Sequence, residues 1–299
     1  MNAPLNYDSP QEIAQFLDSF GIAARKRWGQ NFLINRGARE KLIDLLCLSP
    51  NDHLLEIGPG LGAMTYQAMT HQLAGVTLFE IDPAYQKILR EFFSRHPHFQ
   101  VIDGDVLQTW QPFIAQNNKE ISYKILGNLP YNISSAIIQL LAHTPFSIAV
   151  LTVQKELAQR LMASPKSKNY SSLSVWSQCN FSIQHHVNLK AGSFYPQPNV
   201  DSAIISLTPR QPLQPQLLAI LDHLLKSAFA HRRKILRHNW QNLLQGVMLA
   251  LPQEEFDAIL RDQNISYHMR AEEIDSETYL SIAKAIAISL EEKNHHESN

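Results

Sequence analysis

Short apolar runs alternate with amphipathic segments along the first two hundred residues. Runs at 53–57, 76–81, 99–102, 123–126 and 148–153 predict buried strands, and the segments 63–71, 83–95 and 134–143 between them predict helices. Alternation of this kind is typical of an α/β fold with a mostly parallel, doubly wound, Rossmann-like sheet. Helices are also expected earlier in the chain, at 11–20 and 36–48.

The pattern changes after residue 153. Helices are predicted at 155–163 and 171–178 around a polar loop at 164–169, followed by two strands, 181–187 and 202–208, which we expect to complete the sheet as an antiparallel hairpin. Pro209, Pro212 and Pro215 then indicate a linker. The later segments 216–230, 232–244, 253–262 and 276–290 all have helical periodicity, and the tail 291–299 is expected to be disordered. We therefore predict two domains, an α/β domain at 1–209 and a small all-helical domain at 210–299.

Glycines follow the first strand of the sheet, in the sequence Glu56-Ile57-Gly58-Pro59-Gly60-Leu61-Gly62. Glycines allow a tight turn and a close approach of backbone to ligand, although a simple tight turn would need them as well. The spacing differs from the dinucleotide motif G-x-G-x-x-G. Glu56 would repel a pyrophosphate but would suit a ligand that carries positive charge, so S-adenosylmethionine fits better than NAD.

Acidic residues follow the next two strands. Glu80 lies about twenty positions beyond the glycine loop, where an acid commonly binds the ribose hydroxyls of a nucleoside. Asp82 is expected to cap the helix that begins at Pro83. Asp105, after the third strand, is either an acceptor for an adenine amino group or a second helix cap.

The fourth strand runs into Asn128-Leu129-Pro130-Tyr131. Taken alone, these four residues are more typical of a loop with a packed tyrosine than of a binding site. At the end of a parallel strand, however, the Asn128 side chain and the Leu129-Pro130 backbone present acceptors for one amino group, and Tyr131 offers a face to a planar base. Acceptors placed in this way would direct the nitrogen lone pair toward a methyl donor, so that alignment and electrostatics supply much of the rate. The base would have to leave its stack to reach the site.

Composition limits the class of protein. The chain is 44% hydrophobic, has no apolar run of membrane-spanning length and starts without a signal-like segment, so we expect a cytoplasmic protein with no membrane partner. Cys47 and Cys179 are the two cysteines, and we expect both to be buried thiols and not a metal site.

The net charge is −1, yet 226–240 carries five basic residues and no acid, whereas 251–299 carries eleven acids and four basic residues. A basic face for nucleic acid is thus compatible with a neutral total. The cations at 25–27, before Trp28, indicate either a solvated loop or a lid over a ligand.

Taken together, these motifs resemble the ribosomal RNA adenine N6,N6-dimethyltransferases, and most closely the bacterial small-subunit branch of that family. The resemblance covers nearly the whole chain. It rests on 27–33, the glycine loop, Glu80, Asp105, 128–131, 153–156, the signature F-x-P-x-P-x-V-D-S at 194–202 and the basic segment 229–237.

The resemblance implies a seven-stranded class I fold and a full set of site residues. Cofactor contacts would fall on Asn31, Leu33, Gly58, Glu80, Asp105 and Asn128. The catalytic set would be Asn128, Leu129, Pro130, Tyr131 and Phe194, with Phe194 stacking on the base opposite Tyr131. A basic helix would contact RNA through Arg232, Arg233, Lys234 and Arg237. Without the resemblance, Phe194 is more simply a core residue.

The implied reaction transfers four methyl groups from S-adenosylmethionine to two adjacent adenosines in the 3′-terminal hairpin of 16S ribosomal RNA. The substrate would be a late pre-30S particle, and the enzyme would act as a monomer without a metal. One departure is Tyr170-Ser171-Ser172-Leu173-Ser174, where many members have Tyr-Gly-Arg-Leu-Ser. Lys166 or Lys168 would have to replace the missing arginine if that arginine contacts RNA.

Two alternatives remain open at this point. The related enzymes that dimethylate large-subunit ribosomal RNA and confer macrolide resistance share these motifs, but their C-terminal region is generally smaller. A non-enzymatic assembly factor with the same fold is the other alternative, and the intact Asn128-Leu129-Pro130-Tyr131 argues against it.

Overall fold

A computed structural model of the protein describes residues 3–22, 31–117, 121–241, 243–244 and 251–297. The chain divides into two compact units, of which the first contains 1–158 and 183–209 and the second contains 159–182 and 210–299. Within the described ranges, no helix combines the length and the apolar character that crossing a membrane would need.

The first unit is built on a seven-stranded sheet. Its strands are β2 (His53–Ile57), β3 (Gly75–Glu80), β4 (Phe99–Asp103), β5 (Tyr123–Asn128), β6 (Phe146–Gln154), β7 (Phe181–Leu189) and β9 (Ser202–Pro209), in the spatial order β4-β3-β2-β5-β6-β9-β7. The strands from β4 to β6 are parallel, and β9 runs antiparallel to β6. The predicted strands and the doubly wound arrangement are confirmed, and β9 lies between β6 and β7.

Helices connect the parallel strands, because a parallel pair needs a long crossover. The connecting helices are α3 (Ala63–Ala68), α4 (Pro83–Phe93), α5 (Val106–Gln116) and α6 (Ser134–Leu141), whereas α1 (Pro10–Ser19) and α2 (Arg36–Leu46) precede β2. Asp82 caps α4 as predicted, accepting a hydrogen bond from the Ala84 amide at 2.9 Å. Sequence analysis missed α5, which contains Pro112 in its interior. Proline removes one helical hydrogen bond and therefore argues against a helix in the sequence, but tertiary packing stabilises α5 nonetheless.

A short two-stranded sheet lies apart from the main one. β1 (Phe32–Leu33) pairs antiparallel with β8 (Phe194–Tyr195), and Leu33 is the partner of Phe194. Neither strand was predicted, because two-residue strands carry no periodicity.

The second unit is helical. α7 (Lys155–Leu161) leads into it, and α8 (Ser172–Asn180), α9 (Pro215–Ala228), α10 (Leu236–Asn239), α11 (Gln253–Asp262) and α12 (Ser276–Glu297) follow. The first unit ends at Pro209, where the linker was expected. Residues 159–182, however, group with the C-terminal helices and not with the sheet. One reason is that α8 packs against α9 and α12, and the buried Tyr170 donates a hydrogen bond to the Ile274 carbonyl at 2.9 Å.

Three local expectations were wrong. The predicted helix at 232–244 is helical only at Leu236–Asn239 among its described residues, and Arg232 to Lys234 form turns. The tail expected to be disordered is helical to Glu297. Cys47 is exposed and not buried, because α2 ends there in a left-handed residue with φ of 47° that turns the chain to the surface. Cys179 is buried as expected.

Candidate active site

One cavity lies in the first unit at the carboxyl ends of the parallel strands. It has a volume of about 1090 Å³, counted out to open solvent, and its walls come from the ends of β2 to β5 and from the N-terminal segment. The register explains why these ends meet: Ile57 is paired with both Phe79 and Gly127, and Glu80 with Asp103. The features predicted separately after four strands therefore share one edge of the sheet.

The glycine loop forms the floor of the cavity. Gly58 and Gly60 have φ of 65° and 57°, the left-handed region that glycine adopts without strain. A Cβ atom on Gly60 would lie 3.1 Å from the ring of Phe32. The loop therefore needs glycine for its backbone conformation and, at Gly60, for space.

Glu80 is fixed beside this loop. Its two carboxyl oxygens accept hydrogen bonds from the amides of Asp82 at 2.9 Å and Gly60 at 3.2 Å. Burial raises the pKa of Glu80 to about 7, although these two bonds favour the charged form. Glu80 lines the cavity, as the ribose-binding prediction requires.

Glu56 differs from the expectation, because it does not line the cavity. Its side chain is fully buried and accepts a hydrogen bond from Thr65 Oγ1 at 2.6 Å, which ties the end of β2 to α3. Burial, with a smaller contribution from the nearby Glu80, raises the pKa of Glu56 to about 7. Glu56 thus holds the helix that follows the glycine loop and does not face a ligand.

Asp105 combines the two roles that were left open. It caps α5 by accepting a hydrogen bond from the Leu107 amide at 2.9 Å, and it also lines the cavity. Among the described lining residues, Glu80 and Asp105 are charged and none is basic. Such a wall repels a pyrophosphate and accepts hydrogen bonds from the hydroxyl and amino groups of a nucleoside that carries positive charge.

Asn128 is held by the segment that precedes β1. Its side-chain nitrogen donates to the Asn31 carbonyl at 2.7 Å, and Asn31 itself lines the cavity. No hydrogen bond to Asn128 Oδ1 comes from the described chain. The amide is therefore oriented with its acceptor oxygen available to a ligand.

The two carbonyl groups after Asn128 differ in availability. The Pro130 carbonyl already accepts from Ser134 Oγ at 2.9 Å and from the Ile133 amide at 3.2 Å. The Leu129 amide donates to the Thr152 carbonyl at 3.0 Å, which fixes that peptide plane, and the Leu129 carbonyl accepts no hydrogen bond from the residues described. Leu129 therefore supplies the backbone acceptor that complements Asn128.

Tyr131 lines the cavity and is half-buried. Its hydroxyl lies 2.6 Å from the Oγ of Ser202, a fully buried residue at the start of β9. Burial raises the pKa of Tyr131, so the phenol stays protonated near neutral pH. Sequence analysis placed Ser202 in a signature but gave it no role; only the fold shows that it orients Tyr131.

Phe194 does not line the cavity. It is 2% exposed and packs in the hydrophobic core with Leu33, its β1 partner. A stacking role for Phe194 remains a prediction that requires its ring to be uncovered when a base enters.

The N-terminal segment supplies walls that sequence analysis missed. Tyr7 and Ile13 line the cavity beside the predicted Asn31 and Leu33, and the Tyr7 hydroxyl donates to the Leu61 carbonyl at 3.0 Å. These residues lie far from the strand ends in sequence, so no local pattern identifies them. Of the segment 25–33, for which a lid was one of the two predictions, residues 25–30 lie outside the described residues.

Comparison with known proteins assigns the chain to a family. A family model described as ribosomal RNA adenine dimethylase matches residues 21–287. The chain belongs to the ribosomal RNA adenine dimethylase family. It is therefore a methyltransferase, and the resemblance seen in its motifs is confirmed.

Curated relatives of this dimethylase extend over nearly its whole length. The protein is 37% identical over 285 residues to ribosomal RNA small subunit methyltransferase A of Borreliella afzelii, which covers 94% of this chain and 95% of the relative. The protein of the same name from Treponema denticola is 33% identical over 289 residues, covering 95% and 97%.

Solved structures agree on the fold of the dimethylase. A dimethyladenosine transferase from Plasmodium falciparum matches with a TM-score of 0.66 at 23% identity, covering 83% of this chain and 94% of that one. The 23S rRNA methyltransferase ErmE matches with a TM-score of 0.62 at 25% identity, covering 86% and 100%. The seven-stranded class I methyltransferase fold is confirmed.

The basic residues expected to contact RNA lie in the second unit of the dimethylase. The side chains of Arg233, Lys234 and Arg237 are exposed and form no hydrogen bond or ion pair with the described residues. Arg232 differs, because its guanidinium pairs with Glu272 at 2.9 Å and donates to the Ser167 carbonyl at 3.1 Å.

Proposed function

We propose that this dimethylase transfers methyl groups from S-adenosylmethionine to the N6 atoms of two adjacent adenosines in the 3′-terminal hairpin of 16S ribosomal RNA, within a late pre-30S particle. The observation that carries the proposal is the pair of free acceptors, Asn128 Oδ1 and the Leu129 carbonyl, in a cavity with two acids and no described base.

The cavity suits a nucleoside cofactor with a positive charge. Glu80 is placed for ribose hydroxyls and Asp105 for an adenine amino group, and Gly58 and Gly60 let the backbone approach closely. Asn31 and Leu33 would cover the cofactor from the N-terminal side. When bound, S-adenosylmethionine supplies a methyl group on a sulfonium, which needs no metal and no covalent enzyme intermediate.

The reacting amine is then activated by position. The lone pair of an exocyclic adenine amine is delocalised into the ring. Two acceptors that bind its hydrogens, Asn128 Oδ1 and the Leu129 carbonyl, favour a pyramidal nitrogen whose lone pair points at the methyl donor. A separate general base is unnecessary, because the proton leaves after the methyl arrives.

Tyr131 would bind the base by stacking, which contributes about 1–3 kcal/mol per base. Its hydroxyl is fixed by Ser202, so the ring face is set before the base arrives. A target adenosine must be turned out of its helix to reach this face. Phe194, if uncovered, would close the opposite side.

The choice of small-subunit RNA rests on the relatives. The named small-subunit methyltransferases are 33% and 37% identical over almost the full chain, whereas the matching large-subunit enzyme is 25% identical. Exposed Arg233, Lys234 and Arg237 in the second unit are proposed to contact RNA phosphates.

Labelled S-adenosylmethionine and small-subunit particles from an unmethylated strain test the proposal. We expect transfer to the particles, and mass mapping of the RNA should place two dimethylated, adjacent adenosines in the terminal hairpin. Asn128→Ala should lower the transfer rate by about 10²–10³, because it removes one preorganised acceptor. Asn132→Ala, an exposed asparagine four residues on, is the matched control and should transfer normally.

Two results would overturn the proposal. Methylation of large-subunit RNA alone would assign the chain to the alternative substrate. No transfer to either particle, despite cofactor binding, would support a non-enzymatic assembly role.

A further inference from the structure

The loop at 164–169 and the turn at 231–234 are joined in the second unit by one acidic residue. Glu272 accepts from Arg232 Nε through its carboxylate at 2.9 Å, and its backbone carbonyl accepts from the Lys166 amide at 2.7 Å. Arg232 Nη2 also donates to the Ser167 carbonyl at 3.1 Å. We call these four residues, Lys166, Ser167, Arg232 and Glu272, the Glu272 clasp.

The clasp joins the two backbone segments that carry two sets of cations. Lys166 and Lys168 flank Ser167, and Arg233 and Lys234 follow Arg232. Because Arg232 is hydrogen-bonded to Ser167, each of the four cations lies within two residues of a hydrogen-bonded member of the clasp. All four side chains are exposed, and none forms a hydrogen bond or ion pair within the described parts of the chain.

Arg232 has a different environment from these four. Its guanidinium is bound to a carboxylate that is 22% exposed and to a backbone carbonyl. The ion pair neutralises Glu272, which otherwise would place a negative charge beside the four cations and repel phosphate. Lys166 has φ of 67°, a conformation uncommon outside glycine, and the hydrogen bond that its amide donates to the Glu272 carbonyl holds the loop in that form.

We propose that Lys166, Lys168, Arg233 and Lys234 form one RNA phosphate-binding surface, and that Arg232 and Glu272 position this surface without contacting RNA themselves. The proposal deepens the proposed function, on which it rests. It also accounts for the departure from the family pattern, Ser171 and Ser172 in place of Gly-Arg: Ser171 caps α8 with Ser174, and the two lysines supply the positive charge from the preceding loop.

The first test removes the lysines. Lys166→Asn tolerates the left-handed backbone and Lys168→Gln keeps the length, so the double variant should fold normally. We expect binding to unmethylated small-subunit particles to weaken roughly tenfold near 0.1 M salt, and the slope of log K against log salt to become shallower by about 1.5 to 2. Lys87→Gln with Lys284→Gln, two exposed lysines elsewhere, is the control for lost charge. Binding equal to that of the control would overturn the surface.

The second test separates positioning from charge. Glu272→Gln removes an acid and releases Arg232, so a surface governed only by net charge, or an Arg232 that contacts phosphate, would bind RNA more tightly. The clasp predicts weaker binding, by roughly threefold to tenfold, since Arg232, and with it the turn, loses the carboxylate that holds it in place. Unchanged or tighter binding would overturn the positioning role.

Methyl transfer by the unaltered chain to the same particles is measured in parallel. If the unaltered chain transfers no methyl groups, the proposed function fails. If it transfers them normally and the variants bind like the control, only the inference about the surface fails. Urea unfolding of each variant shows that a binding loss does not come from an unfolded chain.

Discussion

Two buried carboxyl groups, Glu56 and Glu80, lie next to the glycine loop, and burial raises the pKa of each to about 7. An acid with a raised pKa in the folded state stabilises that state while it is protonated. For these groups the free energy of unfolding is therefore highest below about pH 4.5, and it falls as the pH rises from 4.5 to 7. Above pH 7 the loss is complete and constant.

Replacing Glu56 with glutamine should remove its share of this pH dependence. Glu56→Gln is expected to raise the free energy of unfolding of the cofactor-free protein at pH 8, by at most on the order of 3 kcal/mol, and to change it little at pH 5. Urea unfolding at the two pH values measures the difference. Asp103→Asn, at an exposed ion pair with Arg90, is the control and should change stability by less than about 1 kcal/mol. An equal effect of Glu56→Gln at both pH values would contradict the assignment.

Single residues also show what a sequence does and does not reveal about a site. Glu80 and Asn128 end β3 and β5, and Asp105 comes two residues after β4, so the rule that parallel strands end at one edge was enough to predict that they meet. Tyr7 reaches the same cavity from the N-terminal segment, and Ser202 at the start of β9 contacts Tyr131 in the cavity wall. Their approach depends on long-range packing, for which one sequence has no local signal.

Arg39, which looks like an ordinary surface residue in the sequence, holds the N-terminal segment against the cavity. Arg39 on α2 is 3% exposed; its Nη1 donates to the Leu33 carbonyl at 2.7 Å and to the Tyr7 carbonyl at 3.4 Å, and its Nη2 pairs with Asp8. Tyr7 and Leu33 both line the cavity. One buried side chain therefore connects α2 to two segments of the cavity wall.

Arg39→Met keeps most of the side-chain volume but removes these bonds. We expect the free energy of unfolding to fall by about 2–4 kcal/mol, since buried carbonyls lose their donors. The dissociation constant for S-adenosylmethionine should rise by about tenfold, corresponding to about 1.4 kcal/mol. Calorimetric titration below the unfolding transition measures the second effect.

Arg36→Met is the matched control, because Arg36 binds the same Asp8 from an exposed position and should contribute less than about 1 kcal/mol. If Arg39→Met binds S-adenosylmethionine as tightly as the control does, Arg39 contributes to stability alone and does not shape the cavity wall.

Elements were predicted well where their pattern is local. The strands of the sheet came from apolar runs, and α4 from its proline and its aspartate cap. The segment at 232–244 failed for a physical reason: Arg232 bonds to Glu272 forty residues away, and the Leu236 and Arg237 amides donate to the Met269 and Tyr267 carbonyls. These distant contacts replace the helical hydrogen bonds that the sequence pattern suggested.

At the scale of the whole molecule, a net charge of −1 conceals a separation of charge along the chain. The basic residues at 232–237 and the acids after 251 belong to the same compact unit. Total charge therefore says little about RNA affinity, which depends on the phosphates that individual cations neutralise.

Charge reversal at two positions tests whether affinity follows local contacts or total charge. Arg233→Glu with Lys234→Glu should weaken binding to small-subunit particles and make the slope of log K against log salt shallower by about two, because two phosphates lose their cations. Arg261→Glu with Lys284→Glu changes the net charge equally at exposed positions of the acidic C-terminal segment. If local contacts govern binding, this control keeps the slope of the unaltered protein, and filter binding over a series of salt concentrations measures both variants. Equal losses in the two double variants would show that the overall field, and not the basic turn, attracts the RNA.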